Sequence, residues 1–392
     1  MKHFTLARCS FTRYFFALTL ALAVSAVARA QTEEWIHANP SSVFPHQLST
    51  FTCDGVTSVN VRWLFSSSGY RVTQPPVVSR AGQTITLDVR AEETTGGIVP
   101  AFFTFEKNFE LGVLEPGTYR LDVDSWGAPL NQILFTVRQT PPAAHALDGG
   151  CFFVAQHYRD FLSREADGAG FAFWTNEIAS CGTDAACIDV KRVNVSGAFF
   201  LSIEFQNTGY FVYRVYKAAF GRAPTLAEFA PAATFVGSRV VVGSDDAWAI
   251  RLDGNKDNFV QGFYGRQDFT ARYNGLTTAQ YVDKLFETAG ITPRQGERED
   301  MISSVDNCTY SLGCPTRVTL LRRVAEHPAL DRKVFNEAFV TMQYFGYLRR
   351  DPDPDGLNFW LTKLNQFNGN YVAAEMVKAF INSDEYKHRF GQ

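Results

Sequence analysis

The run Asp351-Pro352-Asp353-Pro354-Asp355-Gly356 sets carboxylates at alternate positions ahead of a glycine, which is how a calcium loop begins. The pattern stops there. An EF-hand needs a glutamate at its twelfth position, and this chain has Thr362. The same run also reads as a turn into a helix, with Asp355 or a neighbour capping amide groups ahead of Phe359-Trp360. We therefore expect no cofactor, with calcium at Asp351, Asp353 and Asp355 as the alternative. Asp253-Gly254-Asn255-Lys256-Asp257 fails in the same way, because Asn258 and Tyr264 stand where the glycine and glutamate belong.

A second set of chemical residues is arginine with acid. Four stretches align without a gap: FVAQHYRDFLSR from Phe153, FVYRVYKAAFGR from Phe211, YVDKLFETAGIT from Tyr281 and FVTMQYFGYLRR from Phe339. Three end in arginine (Arg164, Arg222, Arg350), and the third has Thr292. The copies with an arginine carry Glu204, Asp268 and Glu385 downstream; the third has Ala329 at that place. Arginine and acid vary together, so each arginine is expected to pair with the acid of its own unit. No anionic ligand is needed for this.

Cysteines supply the third set. Beyond residue 30 the chain has six: Cys53, Cys151, Cys181, Cys187, Cys308 and Cys314. An even count in an exported protein reads as disulfides, although six cysteines allow fifteen pairings. Cys181–Cys187 and Cys308–Cys314 are close along the chain, which leaves Cys53 with Cys151. Zinc is the competing reading. The spacing is against it, since there is no Cys-x-x-Cys and His37 and His46 lie far apart.

Catalytic motifs are absent: there is no Gly-x-Ser-x-Gly, His-Glu-x-x-His, P-loop or Gly-x-Gly-x-x-Gly. A Ser–His pair or a carboxylate pair assembled in space is the hydrolase alternative. A carbohydrate-binding alternative would need Trp35, Trp63 and Trp126 in an exposed row.

These residues sit in a chain of 392 residues, 46% apolar and 20% charged, enough to bury a core and long enough for two or three domains. Residues 1–30 have the parts of a cleaved signal peptide: basic residues to Arg13, an apolar run Phe15–Val27, then Ala28-Arg29-Ala30. Without Lys2, Arg8, Arg13 and Arg29, the 37 basic side chains fall to 33 against 40 acidic, a net −7. That balance argues against nucleic acid as partner. No later stretch reads as a membrane span, and export to the periplasm, cell surface or exterior is expected.

Residues 31–137 alternate with period two, as in Val59-Asn60-Val61-Arg62-Trp63, and break at Pro75-Pro76, Pro116-Gly117 and Trp126-Gly127. Six or seven strands of this kind suggest an immunoglobulin-like β-sandwich with one face of each strand buried. Residues 138–150 read as a linker. From 151 to 392 the period is helical, and each unit, starting near 153, 211, 281 and 339, has a second helix. Its apolar triplets are Val195/Phe199/Phe205, Phe259/Phe263/Phe269, Leu320/Val324/Leu330 and Met376/Phe380/Tyr386. The fold class expected is therefore multidomain, all-β then all-α, with four helical units sharing cores.

The strings YRDFLSREADGAGFAFW (Tyr158–Trp174) and YFGYLRRDPDPDGLNFW (Tyr344–Trp360), with SIEF (Ser202–Phe205) and SDEY (Ser383–Tyr386), resemble the bacterial exported family named domain of unknown function 4214. The resemblance runs roughly from Phe153 to Phe390 and is weakest in the middle units. It implies an all-helical module, similar to phycobilisome linker domains, found in extracellular and surface proteins, with no established activity. The expected protein is an exported, non-enzymatic interaction or scaffolding component whose partner is a surface protein or polysaccharide.

Overall fold

The computed structural model describes residues 34–391, except 44, 66–67, 73–74, 97–102, 141–142, 246 and 309–313. The expected signal peptide and Pro141-Pro142 of the linker lie outside the described residues. A β-rich region precedes a helical one.

The strands are β1 (Trp35–His37), β2 (Pro45–Cys53), β3 (Val56–Phe65), β4 (Tyr70–Val72), β5 (Val77–Ala81), β6 (Thr84–Asp88), β7 (Ala91–Thr94), β8 (Phe103–Val113), β9 (Gly117–Ser125) and β10 (Ala128–Val137). Among the described residues they form three sheets, ordered β1-β7-β4, β10-β9-β6-β5 and β2-β3-β8. β6 and β9 run parallel, with Thr84 opposite Arg120; the other pairs are antiparallel. Val59, Val61, Trp63 and Phe65 of β3 share one core with Ile85, Leu87, Leu121 and Val123. Trp63 is wholly buried in it, so Trp35, Trp63 and Trp126 make no exposed row. Trp35 lies under Arg71, and Trp126 stacks on His37 with its indole N–H donated to the Ala91 carbonyl.

The helices are α1 (Gly150–Phe161), α2 (Gly168–Ala179), α3 (Ala185–Leu201), α4 (Ile203–Asn207), α5 (Gly209–Phe220), α6 (Leu226–Val236), α7 (Trp248–Tyr264) and α8 (Gln267–Tyr273). Then follow α9 (Thr278–Ala289), α10 (Glu297–Asp306), α11 (Arg317–Ala325), α12 (Pro328–Gln343), α13 (Pro354–Gln366), α14 (Met376–Ile381) and α15 (Asp384–His388). A π-turn, Tyr344–Leu348, continues α12. Side-chain oxygens cap many of these helices, Asp167 on α2, Asp184 on α3 and Asp353 on α13 among them. Phe153, Phe211, Tyr281 and Phe339 are buried in α1, α5, α9 and α12, where the 3.6-residue period puts them on the inward face. Of the twelve second-helix positions, eleven are buried and Phe259 is half-buried.

Two expectations need correction. The end of the 138–150 segment is no free linker: Leu147 is buried in the helical core and its carbonyl accepts from Arg192. The polar face of β3 is also covered. Asn60 is 1% exposed because α2 lies across β2, β3 and β8, with Phe51 edge-on to Phe171 and the Asn176 amide donating to the Thr50 carbonyl. A helix supplied from outside the sheet buries what alternation assigns to solvent.

Candidate functional site

One arrangement occurs twice. In the first unit the chain leaves α1 through Ser163, at φ 54°, so that Arg164 turns back over the Tyr158 ring at 4.9 Å. Arg164 grips Glu204 with two bonds, 2.7 and 2.8 Å, and reaches Asp167, which caps the Gly170 amide. In the last unit Arg349, at φ 55°, takes the place of Ser163. Arg350 lies 5.1 Å over Tyr344, holds Glu385 at 2.6 and 3.1 Å, and reaches Asp353, the cap of Gly356. Gly170 and Gly356 are required here, because a Cβ at either would run into the hydroxyl of Tyr158 or Tyr344. Ser202 and Ser383 cap the helices that carry the two glutamates. The arrangement binds two helices of one unit through a bidentate guanidinium–carboxylate pair.

Burial separates the copies energetically. The Glu204 side chain is 8% exposed, that of Glu385 46%. Arg164→Ala strands a buried carboxylate and should cost about 3 kcal/mol. Arg350→Ala leaves a hydrated one and should cost about 1 kcal/mol or less. Urea unfolding of the two variants checks this, and equal losses would contradict it.

The second unit corrects the expected pattern. Arg222 does not pair with Asp268; it holds Glu228 through two bonds of 2.7 Å and keeps that carboxyl down at about 2. Asp268 is taken by Arg266, two residues before it, at 2.7 and 3.0 Å. The cause is local: Glu228 is fixed near Arg222 by its capping box with Thr225 at the start of α6. In the third unit the left-handed residue is Gly290, one place earlier, where the chain departs before reaching Thr292.

Between the β-rich and helical regions runs a cleft with two lobes. One, about 470 Å³, includes Arg62, Glu106, Arg164, Asp167, Trp174 and Glu204 in its walls. The other, about 820 Å³, includes His46, Arg62, Leu64, Asp245, Trp248 and Arg251. β2, β3 and β8 make one wall; α1–α4, the turn after α6 and the start of α7 make the other. Sequence reading missed Arg62, Glu106 and Trp248, which no motif marks. Arg62 and Glu106 stand opposite each other on β3 and β8, and the docking of α2, with the Gly168 amide donating to Glu106 at 2.7 Å, sets the helical wall against them.

A serine–histidine contact exists, but inside the core. His157 Nδ1 donates to the Phe153 carbonyl at 2.7 Å, which leaves Nε2 to accept from Ser196 at 2.9 Å, with the Tyr347 hydroxyl at 3.2 Å. Both residues are buried, and neither lines the cleft. Burial holds the imidazole down at about 3, against an ordinary 6.5. The unfolded imidazole takes up a proton that the folded one refuses until far lower pH. The contribution of His157 to stability is therefore full above pH 6.5 and is lost at about 1.4 kcal/mol per pH unit as the pH falls toward 3. His157→Gln should flatten that slope in denaturation curves taken across the window.

The last unit also decides the comparison with known proteins. Residues 328–390 match a domain of unknown function (DUF4214). No curated protein and no solved structure matches the chain. The DUF4214 segment runs from α12 through α15 and holds the whole Tyr344–Arg350–Asp353–Gly356–Glu385 set. Its acidic run is turned to internal partners: Asp353 to Gly356 and Arg350, and Asp351 to the Leu226 amide at the start of α6. Asp355 lies in the first turn of α13. Among the described residues, no three His, Cys, Asp or Glu side chains converge to hold a metal ion. Outside the DUF4214 segment, disulfides join Cys53 to Cys151, Cys181 to Cys187 and Cys308 to Cys314. Among the described residues no helix is long and apolar enough to cross a membrane.

Proposed function

We propose that this chain is an exported, non-enzymatic interaction or scaffolding protein of the cell surface or extracellular space. The observation that carries the reading is where its reactive residues are spent. Arg164, Arg350, Glu204, Glu385, Asp351 and Asp353 are all engaged by internal partners, and the Ser196–His157 pair is sealed in the core. Residues with chemical potential are used for cohesion. The three disulfides favour an oxidising compartment, and residues 1–30 act as the cleaved signal peptide.

We read the helical region as four related units that share one core. The twin geometry of the first and last supports extending the DUF4214 resemblance to residue 153. We read the β-rich region as an immunoglobulin-like sandwich whose three sheets share one core, with the parallel β6–β9 pair as a departure from the antiparallel type. Its working partner is a protein or polysaccharide surface component.

Mass spectrometry of protein recovered from outside the cell should find Gln31 at the amino terminus. Recovery in the cytoplasm alone, with residues 1–30 retained, would overturn the reading. So would turnover in an esterase or glycosidase panel. Millimolar calcium should leave the thermal midpoint unmoved, and a rise would assign a metal role to the acidic run.

A further inference from the structure

We propose that the two-lobed cleft binds a carboxylate-bearing oligosaccharide, with Arg62 taking the carboxylate and Trp174 and Trp248 stacking on the sugar rings to either side. This rests on the reading of the chain as an exported interaction protein and names the partner's chemistry.

Arg62 lines both lobes and so stands where they meet. The other charges of the walls are already matched. Arg164 is held by Glu204 and Asp167, Arg251 forks onto both oxygens of Asp245, and Glu106, opposite Arg62 across the strands, receives the Gly168 amide. Among the described residues the Arg62 guanidinium has no ion-pair or hydrogen-bond partner, although the residue is half-buried. A guanidinium in that position has a planar fork of donors suited to a carboxylate.

The walls also decide against the competing anions. Arg62, Arg164 and Arg251 face Glu106, Asp167, Glu204 and Asp245, so the described lining is not basic as a whole. A polyphosphate backbone would be repelled, whereas a single isolated carboxylate meets the guanidinium of Arg62, the unmatched cation among the described lining residues. Each lobe holds one half-buried tryptophan, whose face suits the C–H side of a sugar ring. Around Trp248 stand Thr104, Ser244, His46 and the immobilised Arg251–Asp245 pair, a mixture of donors and acceptors matching ring hydroxyls. About 820 Å³ in that lobe is ample for more than one sugar residue.

The test is calorimetric titration of the full secreted chain with a short oligosaccharide carrying a single uronate residue, with the same oligosaccharide after carboxyl reduction, and with an oligoglutamate. The acidic sugar should bind at least about tenfold more tightly than its reduced form, the discrimination expected of one charge-assisted bidentate contact. Arg62→Gln should erase that preference while keeping the circular dichroism spectrum and unfolding midpoint. Trp248→Ala should weaken both sugars. Equal affinity for the acidic and reduced sugars, an Arg62→Gln protein that still prefers the acidic one, or binding of oligoglutamate alone would overturn the assignment. Failure of every ligand with a protein still found attached to the cell exterior would also overturn it, and would leave the exported interaction reading standing.

Discussion

Replacing both Cys53 and Cys151 with serine is expected to lower the unfolding free energy by roughly 4–5 kcal/mol, the chain-entropy value for releasing a loop of about a hundred residues. The two cysteines are 98 positions apart, and their bond ties the end of β2 to the first turn of α1. It therefore closes nearly the whole β-rich region into one covalent loop. The local bridges, each spanning six positions, constrain far less of the unfolded chain. Chemical denaturation without reductant checks the number. A loss no larger than that of the Cys181/Cys187 double serine variant would show that the long loop is restrained by other means. Because α2 and the bridge together hold the cleft walls, the same variant should also lose oligosaccharide affinity.

Asp160→Asn is the second substitution with a large effect, about 3 kcal/mol, because removing one member of a buried ionic group leaves the others uncompensated. The Asp160 side chain is 1% exposed. It accepts from Arg349 at 2.6 Å, from Arg389 at 3.0 and 3.2 Å, and from the Gln156 amide at 2.8 Å. Arg389 also donates to the Gly346 and Tyr347 carbonyls. One carboxylate of α1 thus gathers the end of the π-turn and the residue after α15, and so closes the first unit on the last. Asparagine keeps the shape but gives up the charge that both guanidinium groups face. Asp384→Asn, on the exposed first turn of α15, is the matched control and should change stability by about 0.5 kcal/mol or less. Equal effects from the two would mean that the closure is carried by apolar packing alone.

Periodicity was a sound guide wherever an element's partners lie close in sequence. The helical spacing of Phe153, Phe211, Tyr281 and Phe339 locates four buried helices, and the acidic run does open α13, with Asp353, a neighbour of the expected Asp355, as the cap. The pairing of Arg164 with Glu204 and of Arg350 with Glu385 was legible because charge varies together between copies. The same logic failed at Arg222. A nearer carboxylate, Glu228, sits six residues away on a capped helix start and forms the stronger local pair. Covariation between the aligned stretches has no information on such a competitor.

What the sequence determined by itself was the order of β and α regions, the turn and cap chemistry, the set of disulfide-forming cysteines and the apolar face of each element. These follow from backbone geometry and from neighbours a few residues away. Which face of β3 meets water, where His157 and Asp160 are buried, and that Arg62 looks across a cleft at Trp248 were decided by tertiary structure. Those outcomes depend on α2 lying across β2, β3 and β8 and on the last unit folding back onto the first. Contacts between residues a hundred or more positions apart are set by the fit of whole surfaces, and no local pattern along the chain encodes that fit.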